Sequence, residues 1–227
     1  MIKEHTDKHF EAELRELKEK ILKMGGMVEE MIDRAQKSLF ERNSNLAREI
    51  LICDSEVNRI EVAIDNHCLE LLARRQPAAS DLRFITIGLR ISKDLERMGD
   101  LAVDIGEQVI ELNKELQLKP FEDLPQIASK TKKMVKSALD AFVNRDPDLA
   151  ERVCEADDEV DALKRKVFDD VVLIMQKNPS AVLRGVRLIL VSRHFERIAD
   201  HATNIAEEVI FMVKGKDIRH GGMKLKK

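Results

Sequence analysis

The chain has 227 residues, 44% of them apolar, 36% charged and 4% aromatic, with nine Gly, five Pro and no Trp or Tyr. That balance suits long helices around an aliphatic core and argues against a sheet-rich fold. The net charge of −3 is a near cancellation of 42 acidic and 39 basic residues, and no basic patch is interleaved with aromatics, so nothing points to nucleic acid.

The N-terminal MIKEHTDKHFEAELRELKEK is too charged for a signal peptide. The longest apolar runs, such as VVLIM at 171–175, fall far short of a membrane span. Cys53, Cys68 and Cys154 are odd in number and lack CxxC spacing, which suits reduced thiols in a soluble intracellular chain.

Prolines 77, 120, 125, 147 and 179 lie at breaks in the apolar periodicity, where proline is tolerated at helix starts and turns. They divide the chain into six predicted helices. The first covers 6–40, with Gly25-Gly26 reading as a kink. Asn43-Ser44-Asn45 reads as a cap and turn before the second helix, 45–75. Its seam is Ile50, Cys53, Val57, Ile60, Ile64 and Leu71. The third helix, 79–118, carries Ile91, Leu95, Met98, Ala102, Ile105, Val109, Leu112 and Leu116, in steps of four and three that mark the seam of a bundle.

The fourth helix is predicted at 123–144, and Asp146-Pro147 caps the fifth, 148–178. The fifth repeats the second through Val153, Val160, Leu163, Val167 and Ile174. The sixth, 180–214, repeats the third through Val191, Phe195, Ile198, Ala202, Ile205, Val209 and Met212. The expected fold is therefore all-α, a tandem repeat of two antiparallel three-helix bundles, 1–118 and 119–227, joined near Lys119-Pro120. Helices this long make an elongated molecule, and GKDIRHGGMKLKK at the end reads as a frayed tail.

Acidic lines run along four of the helices. The third has Glu96, Asp100, Asp104 and Glu107, and the sixth has Glu196, Asp200, Asn204 and Glu207 at the same spacing. The second has Asp54, Asn58, Glu61 and Asp65, and the fifth has Asp157 and Asp161. Like charges at these spacings repel by a few tenths of a kcal/mol per pair on a wet surface, so a solvated face explains one such line. ERMGD at 96–100 and ERIAD at 196–200 keep Glu, Arg and Asp in identical places, which solubility does not require. With Leu95 and Met98 turned inward, the third-helix acids are expected toward solvent. Lines on neighbouring helices could meet across a groove. All-oxygen ligation without nearby Cys or His suits hard cations: Mg²⁺, Mn²⁺, Ca²⁺ or iron. Arg97 and Arg197 could instead be internal salt-bridge partners.

An in-core di-iron enzyme would need Glu-x-x-His pairs. No Glu here has a His three residues later, and Asp217-His220 is the nearest approach. No nucleophile–base pair or Gly-rich phosphate loop is legible, so no catalytic activity is expected. His201 reads as a surface or interhelical hydrogen-bonding residue.

ARRQPAASDLRFI (73–85), DLERMGDLAVDI (94–105), DDEVDALKRKVFD (157–169), NPSAVLRGVRLILVS (178–192), FERIADHATNIAEEVI (195–210) and KGKDIRH (214–220) together resemble the PhoU family of phosphate-signalling regulators. That family's E(D)xxxD motifs fall on Glu96/Asp100 and Glu196/Asp200, with Asp157/Asp161 fitting in the fifth helix. The resemblance implies two three-helix bundles related by a pseudo-twofold axis, with multinuclear surface metal clusters, iron among them, on those motifs. It further implies a cytoplasmic, non-catalytic regulator, or one peripheral at the inner face of the membrane, and a homodimer. Its expected partners are the ATPase subunit of the phosphate-specific ABC transporter and a phosphate-sensing histidine kinase, with the phosphate regulon kept repressed when phosphate is plentiful. This chain departs from the pattern where Lys164 and Phe168 stand for Glu61 and Asp65, and where Asn58 stands for Asp161.

Overall fold

The computed structural model describes residues 8–118 and 122–215. The elements are α1 (Lys8–Phe40), α2 (Ser44–Arg74), α3 (Ala79–Leu112), α4 (Asp123–Asn144), α5 (Pro147–Lys177) and α6 (Val182–Lys214), with a 3₁₀ turn at Pro179–Ala181 before α6. No strand occurs among the described residues. The expected junction at Lys119-Pro120 and the expected tail beyond Gly215 lie outside them.

Both caps anticipated in the sequence form. Asn43 accepts from the backbone N–H groups of Asn45 and Leu46, and Asp146 accepts from those of Asp148 and Leu149, with Pro147 in the first turn of α5. These bonds satisfy amide groups that a helix start leaves without partners. α3 ends six residues earlier than expected, at Leu112, and Leu116 is 85% exposed rather than in the seam. The chain turns there because Arg42 reaches over from the end of α1 and donates to the carbonyls of Leu112 and Glu115. α1 runs as one helix through Gly25-Gly26. Gly25 permits close approach: a Cβ there would lie 2.8 Å from Leu139 Cδ1 on α4.

The remaining seam residues are buried as the spacing predicts, apart from Cys53 and Ile174, which are half-buried; Val171 fills the α5 seam beside Ile174. Helices α1, α2 and α3 pack pairwise, as do α4, α5 and α6. The two halves then join through like elements, α3 on α6 and α1 on α4, the pairing that a twofold relation between repeats requires. Their apolar side chains form one continuous core. The halves lie side by side, and α3 and α6 form the centre of the molecule.

Candidate functional site

Two grooves follow from this arrangement, one between α2 and α3 and its counterpart between α5 and α6. In each, the seam turns apolar residues inward, and the next positions around the helix face the neighbouring helix's acid line.

In the first groove Asp54 and Asn58 of α2 oppose Glu96 and Asp100 of α3. Asn58 Nδ2 donates to Asp54 Oδ2 at 2.9 Å. Asp54 Oδ1 and Asn58 Oδ1 are buried with no hydrogen-bond partner. An enclosed acceptor left this way costs about 1–3 kcal/mol, a cost that a cation would remove. Lys93 Nζ bridges the helices, 3.5 Å from Glu61 on α2 and 3.0 Å from Glu96 on α3. Arg97 takes Asp100 at 3.1 Å and Glu96 at 3.5 Å. The Asp100 carboxyl is nonetheless pushed above the usual range, by burial first and then by the charges of Glu96 and Asp54. Carboxylate repulsion here exceeds what the resident arginine offsets.

The second groove brings together Asp157 and Asp161 of α5 with Glu196 and Asp200 of α6. Asp157 is raised to about 6, by burial first, then by Asp200, Asp161 and Glu196. Asp200 is raised by burial, Glu196 and Asp161, against the pull of His201 and Lys164. Lys164, standing where the first repeat has Glu61, donates to Glu196 Oε1 at 2.8 Å. A lysine therefore meets the motif glutamate in both grooves.

The acid lines are less wet than the sequence suggests. Only 15% of the Glu96 side chain and 14% of Glu196 is exposed, because the neighbouring helix overhangs them. Asp65 lies one turn past Glu61 beside Cys68, whose thiol is pushed up to about 12 by burial and then by Asp65. Asp104 and Asn204 turn away from the grooves to the boundary between the repeats. There Asn204 Nδ2 donates to Asp94 Oδ1 at 3.2 Å, and Asp104 lies 3.6 Å from His194 Nδ1. His201 is interhelical, as its place in the sequence suggests, with Nδ1 donating to Asp94 Oδ1 at 2.8 Å. Further rungs link Arg90 to Glu208 at 2.9 Å, Arg187 to Gln108 at 2.9 Å and Arg184 to Glu115 at 3.1 Å. Numbers rise along α3 as they fall along α6, so the two central helices run antiparallel.

Among the described residues, no three His, Cys, Asp or Glu side chains converge as a metal centre. The donor chemistry nonetheless fits a hard cation: oxygen-only groups, two of them unpartnered acceptors, and carboxyls raised by burial and then by one another's charge. Sequence reasoning missed Asp94 and Lys93, and marked Lys164 only as a departure from the repeat, not as the partner of Glu196. Lys93, three residues before Glu96, was the available signal for the first counter-ion.

The PhoU domain family model matches the chain twice, over residues 21–109 and 124–209. The chain belongs to the PhoU family. It is 41% identical over 223 residues to the phosphate-specific transport system accessory protein PhoU homolog of Pseudomonas aeruginosa, covering 96% of this chain and 91% of that one. To the phosphate-specific transport system accessory protein PhoU of Escherichia coli K12 it is 33% identical, covering 97% and 92%. The crystal structure of PhoU from Pseudomonas aeruginosa superposes with a TM-score of 0.89 at 40% identity, over 91% of this chain and all 100% of that one. The phosphate transport system regulatory protein PhoU from Streptococcus pneumoniae gives 0.86 at 30% identity, over 92% and 98%. The PhoU fold thus accounts for both repeats. No described helix is long and apolar enough to cross a membrane.

Proposed function

We propose that this chain is a non-catalytic accessory regulator of phosphate transport, acting in the cytoplasm or at the inner face of the membrane. It binds hard metal ions in its grooves, iron first among them, with Mg²⁺, Mn²⁺ and Ca²⁺ as alternatives. As a homodimer it links the ATPase subunit of a phosphate-specific ABC transporter to a phosphate-sensing histidine kinase, holding the phosphate regulon repressed when phosphate is plentiful. The transport role rests on similarity along nearly the whole chain to a protein named as a phosphate-specific transport system accessory protein. Deleting the gene should derepress phosphate-regulated genes in phosphate-rich medium, and the wild-type gene should restore repression. Unchanged regulation in the deletion strain would overturn the role.

The metal part rests on the unpartnered Asp54 Oδ1 and Asn58 Oδ1 beside a raised Asp100. Asp54, Asn58, Glu61, Glu96 and Asp100 would hold ions in the first groove, and Asp157, Asp161, Glu196 and Asp200 in the second. A bound ion would supply positive charge to these carboxylates. An ion held there would take over the roles of Lys93 at Glu61 and Glu96, Lys164 at Glu196 and Arg97 at Asp100. Each of these cations is at least one-third exposed on its side chain and can swing into solvent. Asp104 and Asn204 would keep their places between the repeats. Elemental analysis of protein purified without chelator should find iron or another hard metal, lost from Asp100→Ala.

A second reading, a metal-free helical adaptor, is favoured by the same lysines, which already neutralise the motif glutamates. Metal-free protein that restores phosphate control with Asp100→Ala in place would select it.

A further inference from the structure

The two repeats also differ where their first and second helices meet. Counting 103 residues on from α1, every buried position from Ile21 to Ser38 falls on a buried position of α4. The same count takes Asn43 to Asp146 and Asp54 to Asp157, so α1 and α2 correspond to α4 and α5 residue by residue. In the first repeat one side chain occupies the crevice between the two helices. Arg34 lies 2.5 Å from Glu30 and 3.4 Å from Glu49, with its Nη1 3.6 Å from Cys53 Sγ. A cation is held there between two carboxylates.

The second repeat inverts both outer charges of that set and removes its centre. Lys133 stands for Glu30, Ser137 for Arg34, Arg152 for Glu49 and Ala156 for Cys53. The space that Arg34 fills in the first repeat is open in the second. It is a cleft of about 270 Å³ between α4 and α5, with Lys133, Ser137 and Arg152 set around buried Met134 and Val153. Lys133 and Arg152 are exposed and make no ion pair or hydrogen bond among the described residues, and the half-buried Ser137 hydroxyl bonds to none of them. Among the described residues, Glu159 is the one carboxylate that lines the cleft. It is bonded to Lys130, which holds its carboxyl below the usual range, and Lys133 adds the smallest of its influences. Three cations thus meet one carboxylate, and that carboxylate is already taken.

Two uncommitted cations facing the space of a missing guanidinium call for an anion of similar size. The lysine ammonium, the arginine fork and the serine hydroxyl all donate, and charge-assisted bonds to oxyanions are the strong ones. A tetrahedral dianion can offer a separate oxygen to each of the three donors, whereas a carboxylate has only two. We infer that the α4/α5 cleft is a binding site for a small tetrahedral dianion of the phosphate class, held by Lys133, Ser137 and Arg152. The anion takes the place between Lys133 and Arg152 that Arg34 takes between Glu30 and Glu49. The site lies between α5 and α4, away from the acid groove that α5 forms with α6. It is argued from charge and shape, so it goes beyond the regulatory role proposed above and does not depend on it.

The test is calorimetric titration of the full-length chain, stripped of metal and exchanged into chelator-free Tris chloride at about pH 8, at constant ionic strength. Inorganic phosphate and sulfate should each bind saturably at one site per chain, and extra chloride should not mimic them. Lys133→Glu and Arg152→Glu should each weaken phosphate at least tenfold. Lys166→Glu, the same charge change at an exposed position further along α5, should alter it less than twofold. The combination Lys133→Glu/Ser137→Arg/Arg152→Glu installs the first repeat's own set, so it should keep its helix signal by circular dichroism and bind no phosphate. Glycerol phosphate, titrated alongside, separates the two sources of the group: the tighter of the two ligands identifies a free ion or an ester as the occupant. No saturable phosphate binding, equal losses from Arg152→Glu and Lys166→Glu, or binding that survives the combined variant would overturn the site. Neither metal nor a transport partner enters this measurement, so its failure leaves the phosphate role standing, and failure of that role leaves the cleft intact.

Discussion

His201 on α6 donates to Asp94 on α3 at 2.8 Å, directly across the boundary between the two repeats. Both side chains are 17% exposed, and Asn204 donates to the same Asp94 oxygen at 3.2 Å. One carboxylate thus receives two donors from the other half of the chain, and with the Arg90–Glu208 and Arg187–Gln108 pairs it helps hold α3 and α6 in register.

That relationship predicts coupling. Asp94→Ala should destabilise by about 1–3 kcal/mol, since it leaves the largely buried His201 donor without its acceptor. Combined with His201→Ala, the losses should fall short of additive by about 0.5–3 kcal/mol in a denaturation double-mutant cycle. Additivity to within a few tenths of a kcal/mol would show the bond contributes nothing to register.

The raised carboxyls predict an unusual pH response. Asp157 is lifted from 3.8 to about 6 in the folded chain, so the native state holds its proton more tightly than the unfolded one. The unfolded chain then binds fewer protons between those values, and the stability from this group falls as pH rises through that window. Asp100 and Asp200 shift the same way. In chelator, Asp157→Asn should raise the melting temperature at pH 7.5 and make little difference at pH 4. A variant that melts lower at pH 7.5 would mean the carboxylate is compensated by groups not identified above.

Metal should load the grooves unequally. The first offers Asp54, Glu61, Glu96 and Asp100 with Asn58, while the second has Lys164 in place of a carboxylate, already bonded to Glu196. Hard-cation affinity rises with ligand charge, so Asp100→Ala should remove more metal than Asp200→Ala. Lys164→Glu should raise the metal content of the second groove. Equal losses would mean groove geometry outweighs carboxylate count, and no loss from either would return both lines to a merely solvated role.

Two glycines should respond oppositely to the same substitution. Gly26 lies mid-helix with nothing within 4 Å of an added Cβ, so Gly26→Ala should stabilise by about 0.5–1 kcal/mol through backbone entropy. At Gly185 an added Cβ would lie 2.7 Å from Met175 Cγ and 3.1 Å from Val171 Cγ1. Overpacking of this kind costs about 1–3 kcal/mol and should outweigh the same helical gain. Urea midpoints of the two variants, on opposite sides of wild type, would confirm the packing of α5 on α6.

The apolar spacing alone determined six helices, their seams, the Asn43 and Asp146 caps and the doubling of the chain, because burial along a helix has a period that can be counted. It also located the acid lines and marked Lys164 and Phe168 as departures. It overran α3 to Leu116, since the Arg42 bonds that close the helix come from a residue seventy positions away. It gave no sign of the close approach of Leu139 to Gly25, because a contact from α4 leaves no local trace in α1. It set the acids in open water, although the overhang of a neighbouring helix is what shields Glu96 and Glu196. Which carboxylates share a groove was likewise beyond a one-dimensional pattern. Asp100 and Asp104 are one turn apart on the same helix, yet one faces α2 and the other α6. That division follows from how α3 is rotated between its two neighbours, and only the packing of all six helices sets that rotation.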